Sequence, residues 1–150
     1  MRILLLVLAV AIAGAEASEP DLFSGDWIPE PNRAQRGVGM RPETIKIQAQ
    51  GERVSLAETG TRSSGEQYSF SFVADCDGRI NGIMGSPVVD AVQCWRKDAR
   101  TLVIKLVRVT APVEWRTAEV AKNGQNLKIT TTVTNAQGKD EKSSATFVKK

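Results

Sequence analysis

Residues 117–130 read TAEVAKNGQNLKIT, and this stretch decides the fold. Asn123-Gly124 is the strongest two-residue hairpin signal, because both turn positions need positive φ. Folding the chain there sets Val120 opposite Leu127 and Ala118 opposite Ile129. Glu119 then faces Lys128, and Thr117 faces Thr130, on the other side. One face is apolar and the other is a solvated ladder, as half-buried antiparallel strands require.

The same reading extends in both directions. Asn135-Ala136-Gln137-Gly138 fits a type I turn closed by a left-handed glycine, which places Phe147 beside Leu127 and Ala145 beside Ile129. Upstream, a three-residue loop at Thr110-Ala111-Pro112 sets Leu102 against Val120 and Ile104 against Ala118. A two-residue loop would turn Leu102, Ile104 and Leu106 outward. Alternation continues through Ile45/Ile47/Ala49, Val54/Leu56 and Tyr68/Phe70/Phe72/Ala74, punctuated by glycine at turn spacing. Strands are expected near 25–28, 43–50, 52–58, 66–75, 79–84, 88–96, 100–109, 113–122, 125–134 and 139–148. The run from Tyr68 to Phe147 reads as a continuous meander with a turn at Asp77-Gly78. Residues 29–42 form the one long irregular connection, and its Arg33, Arg36 and Arg41 read as a solvated loop in preference to an anion site. The fold class is all-β: a single up-and-down antiparallel meander closing into a barrel of about 8–10 strands.

Ahead of the barrel, Met1 and Arg2 make a short basic region and Ile3 to Ile12 an uncharged apolar one. Ala15-Glu16-Ala17 supplies the small-x-small pattern of a signal peptidase site. Residues 1–17 are therefore expected to be a signal peptide and 18–150 one domain, secreted or periplasmic, with no membrane span. Arg2 and Glu16 cancel, so the mature chain keeps the net charge of +3. Positive residues alternate with acids, unlike a nucleic-acid footprint.

Cys76 and Cys94 are the two cysteines, an even number in an exported chain, and a disulfide between them is the default. A metal pair would lack any histidine or further thiol to complete a zinc shell. No metal or other cofactor is expected.

The inner face changes character along its length. Near Asn123 it carries Leu102, Ile104, Ala118, Val120, Leu127, Ile129, Ala145 and Phe147. At the other end the same parity sends Arg108, Glu114, Arg116, Thr131, Glu141 and Ser143 inward. A barrel rim reaches water, so these charges read either as a mutually neutralising solvated rim or as a polar mouth that orients a ligand. Tyr68, Phe70 and Phe72 share one face of one strand, as core filling or as a cavity wall. Trp115 falls on the outer face beside Val107, covered by the 29–42 loop or marking a contact surface.

Gly25-Asp26-Trp27 resembles the Gly-x-Trp motif of lipocalin-like barrels. Phe23-Ser24-Gly25-Asp26-Trp27, Asp77-Gly78, Gly85-Ser86-Pro87 and the terminal Gly-Lys-x-x-x-Ser hairpin together resemble the exported lipocalin-like domains of bacteria, over most of residues 22–149. The resemblance implies that Trp27 plugs one end of an up-and-down barrel around a cavity, with Gly25 beside it. The sequence departs from typical lipocalins in showing no C-terminal helix and no arginine in the last strand placed to stack on Trp27, and the helical lid of fatty-acid-binding relatives is not visible either.

Histidine is absent, which removes Ser-His-Asp and Cys-His chemistry. Glu114 and Glu141 share a face, as a glycosidase pair would, but Arg108 and Arg116 beside them would hold both ionised, which is wrong for a general acid. No catalytic residue is assigned. The expected function is non-catalytic binding of a small amphipathic ligand or envelope component, with Arg108, Glu114, Arg116 and Glu141 as polar end and Tyr68, Phe70 and Phe72 as wall. The alternative is a protein-binding module with an envelope protein partner, such as an inhibitor of a cell-wall hydrolase. Ser64-Gly65-Glu66-Gln67-Tyr68 resembles the Ser-Gly-x-x-Tyr stretch of secreted lysozyme inhibitors.

Overall fold

The computed structural model describes residues 19–31, 33, 38–109 and 111–150. The expected leader and Arg36 lie outside the described residues. Ten strands follow in chain order: β1 (Gly25–Pro29), β2 (Arg41–Gln50), β3 (Arg53–Thr61), β4 (Gln67–Asp75), β5 (Asp77–Gly82), β6 (Ala91–Asp98), β7 (Thr101–Val107), β8 (Glu114–Val120), β9 (Asn126–Thr134) and β10 (Asp140–Lys149). Each overlaps one expected run, because alternation buries one face of most of them; β5, which buries no residue, and β6 begin two residues before and three residues after the expected 79–84 and 88–96. They form one antiparallel sheet ordered β4-β3-β2-β1-β10-β9-β8-β7-β6-β5. Trp27 pairs with Ile45 on one side and Lys149 on the other, so β1 joins the two halves.

Only Cys76 separates β4 from β5, yet these strands stand at opposite edges of the sheet. The backbone crosses from one edge to the other at Cys76. Its N–H donates to the Glu52 carbonyl at 2.7 Å, and its own carbonyl accepts from Arg96 N at 3.0 Å. The expected Asp77-Gly78 hairpin turn is therefore replaced by a bend that nearly closes the barrel. Gly78, with φ 88°, sits where the β5–β6 register shifts and the Trp95 indole packs on its Cα. The Cys76–Cys94 disulfide ties the crossing to β6, with the Cα atoms 4.3 Å apart. Toward Tyr68 no ladder joins β4 to β5. There residues 83–90 form a wedge instead of the early part of β6: Val88 and Val89 are buried, and Ser86 Oγ accepts from both their N–H groups.

The expected registers of β8 with β9 and of β9 with β10 are those observed, including Val120 with Leu127 and Phe147 with Leu127. The β7–β8 register is shifted by two residues. Leu102 faces Ala118, Ile104 faces Arg116 and Leu106 faces Glu114. The three-residue loop is too short: the connection runs over 108–113, braced by Asp90 Oδ2 accepting from Val109 N at 2.6 Å and by Arg108 Nη2 donating to the Pro112 carbonyl at 3.0 Å. A shift of two preserves parity, so the inner face survives the error.

One end of this barrel is sealed. Trp27 is fully buried, its Nε1 donates to the Phe23 carbonyl at 2.9 Å, and Lys149 Nζ stands 4.8 Å from its ring centre. Lysine thus occupies the place in the last strand for which no arginine was found. Gly25, at φ 148°, leaves room for it, since a Cβ there would meet Lys149 Cε at 3.0 Å. Arg96 completes the seal through Asp21 at 2.7 Å and the Phe23 ring.

Candidate functional site

At the opposite end the lumen is bridged by charge. Alternation along β3 (Val54, Leu56, Glu58) carries Glu58 inward, and alternation along β8 carries Glu114 and Arg116 inward. These strands are not neighbours in the sheet, so their side chains meet across the interior. Arg116 Nη1 donates to Glu58 Oε2 at 2.5 Å and Nε donates to Glu114 Oε1 at 2.7 Å. The Tyr68 hydroxyl donates to the other Glu58 oxygen at 2.6 Å. Arg108 Nη2 stands 3.6 Å from Glu114 Oε2, and Met40 N donates to that same oxygen at 3.3 Å.

Burial makes this cluster energetically demanding. The side chains of Glu58 and Glu114 are 0% exposed and that of Arg116 is 3%. Isolated ions at such depth would each cost several kcal/mol of solvation, and only mutual pairing with full hydrogen bonding offsets that. Burial and then the adjacent Glu58 charge push the Tyr68 phenol far above the ordinary tyrosine range, so it serves Glu58 as a neutral donor. Burial pulls the Arg116 guanidinium down, but Glu58 and Glu114 outweigh it and raise it above its ordinary value. Arg116 Nη2 and Arg108 Nε are buried and have no acceptor among the described residues.

The solvated-rim expectation is thereby corrected for Arg116 and Glu114. Residues 38–40 fold over them, with Gly39 (φ 82°) so close that a Cβ would lie 2.7 Å from Glu114 Oε2. Above this floor lies an open cavity of about 540 Å³ at the barrel mouth, lined by Met40, Arg62, Ser64, Val88, Arg108 and Val133 among others. Arg108 belongs to both levels, with a side chain 15% exposed. Tyr68, Phe70 and Phe72 are buried core residues and none lines the mouth. Glu141 is not brought to the cluster: it lies exposed beside the last turn, where Asn135 Nδ2 donates to it at 2.9 Å. Alternation alone set its parity, but the turn lies past the covered part of the barrel.

Glu58 is the residue that sequence reading missed. Its signal was its place two residues beyond Leu56 on the buried parity. Arg41 opens β2 on the exposed side, and Arg33 pairs with Glu30 at 3.0 Å. Trp115 is on the outer face as expected, but beside Lys105 rather than Val107, and stacked on Trp95 with ring centres 5.8 Å apart. Among the described residues no group of three or more metal-ligating side chains gathers.

No protein-family model and no curated protein matches the sequence. Among solved structures the chain is similar to bovine odorant-binding protein complexed with its natural ligand and to odorant-binding protein from bovine nasal mucosa. Each is 11% identical over 87% of this chain and 72% of the other, with a TM-score of 0.46.

Proposed function

We propose that this barrel is a non-catalytic carrier or sensor that binds a small amphipathic molecule in its open mouth. The observation that supports it is the cavity of about 540 Å³ floored by Arg108 and Met40, a size that suits a small ligand. The site differs from the sequence expectation in depth. The ligand's apolar part lies against Met40, Val88 and Val133, and its polar part meets Arg108, while the aromatic residues of β4 remain core. Glu58 and Glu114 are both engaged by Arg116, which leaves neither free to act as a general acid. Nile red, a neutral solvatochromic dye, should brighten on binding, and Ala111→Trp, which fills the mouth from an exposed loop, should abolish that signal. Equal brightening by parent and variant would contradict the mouth as the site.

Export is part of the proposal. The disulfide suits an oxidising compartment outside the cytosol, and the leader pattern suits cleavage after Ala17. N-terminal sequencing of the exported protein should begin at Ser18; an intact Met1 would contradict this. A second reading, as a protein-binding module, draws on the Trp95–Trp115 stack on the outer face, where Trp115 is 41% exposed.

A further inference from the structure

Two arginines at the mouth of a barrel suggest an anion site, but the charges beneath it argue otherwise. Arg108 and Arg116 are matched by Glu114 and Glu58. The other mouth charges are Arg62, paired with Glu66 at 3.2 Å, and Asp90, whose Oδ2 accepts from Val109 N. Among the described residues this neighbourhood therefore carries no positive surplus. An added carboxylate would place an unmatched negative charge beside Glu114, where little solvent reaches, and that is costly.

Hydrogen bonding is unbalanced in the opposite sense. Both oxygens of Glu58 and both of Glu114 are already engaged, by Tyr68, Arg116 and Met40, with Arg108 alongside. The N–H groups left over belong to Arg116 Nη2 and Arg108 Nε, both buried. A buried donor without an acceptor is expensive, and a site built from hydrogen-bond donors rejects ligands that cannot satisfy them. A neutral acceptor meets both conditions: it accepts a hydrogen bond and adds no charge.

We infer that the mouth, read as the ligand site proposed above, selects amphipathic molecules whose polar end is an uncharged acceptor such as an ester, ketone or amide carbonyl, and discriminates against carboxylates of equal length. Of the two arginines Arg108 is the donor that a ligand reaches first, because it lines the cavity with its side chain 15% exposed, whereas Arg116 lies beneath it at 3%.

The test is displacement of Nile red at pH 7 by methyl octanoate, octanoate and octyltrimethylammonium. Methyl octanoate should displace the dye at concentrations at least about tenfold below either ion. Arg108→Lys keeps the charge and removes the Nε–H, and it should narrow the gap between ester and carboxylate. Octanoate binding as tightly as the ester, the result expected if solvent alone meets these donors, overturns the inference and leaves the mouth as binding site. Failure of the dye and all three amphiphiles to bind overturns both.

Discussion

Glu58 of β3 and Arg116 of β8 join across the lumen through a 2.5 Å charged hydrogen bond, between strands that share no ladder. Beneath the mouth, the barrel is filled by an ion network where a cavity would otherwise lie. Tyr68 and Glu114 complete it, and residues 38–40 cover it.

Breaking this pair from one side should be severe. Arg116→Met leaves Glu58 and Glu114 buried without their cation and should cost about 3–5 kcal/mol. A second change, Glu58→Gln, should cost far less in the Arg116→Met background than in the parent. Urea denaturation of the four proteins measures this. A loss of only a few tenths of a kcal/mol for Arg116→Met would mean that the pair is solvated.

Tyr68 gives the network a pH signature, and it is the chain's single tyrosine. Its phenol ionises less readily folded than unfolded. Its contribution to stability is therefore whole below about pH 10 and is lost as pH rises above that, by up to about 1.4 kcal/mol per pH unit for one proton. Absorbance at 295 nm should show no tyrosinate near pH 10 in the native protein, with ionisation arriving together with unfolding. Titration near pH 10 without loss of structure would place Tyr68 in solvent. Tyr68→Phe should flatten the alkaline decline.

At the sealed end, Trp27→Ala should lower stability by about 3–5 kcal/mol, because a fully buried indole leaves a cavity. Lys149→Met keeps the stem over the ring and removes the charge, so it should cost about 1 kcal/mol or less. An unchanged denaturation midpoint for Trp27→Ala would show that the plug bears no load.

Much of this architecture was legible because alternation is a local signal. It placed most of the strands, with turn residues marking β5 and β6, sent Arg116 and Glu114 inward, and put Trp115 outside. What it lacked was distance information. Arg116 meets Glu58 across 58 residues, and nothing near either one announces the other, so a buried network read as a rim. The β7–β8 register failed because the parity of Leu102, Ile104 and Leu106 chose the loop length and parity does not separate registers two residues apart, while Arg108 within the connection and Asp90 from outside the hairpin hold the longer loop. The bend at Cys76 was hidden for the same reason: β4 and β5 find different partners, β3 and β6, far apart in sequence.

The central claim is that ligand binds at the open mouth, above an intact ion network. The most direct measurement is two-dimensional amide NMR of the isotopically labelled mature protein, titrated with methyl octanoate. Shifts should concentrate at Gly39, Met40, Ser64, Val88, Arg108 and Val109. Trp27 and the outer Trp95 and Trp115 should stay in place. Shifts centred on Trp95 and Trp115 with a silent mouth would contradict the account and favour the outer face as the binding surface.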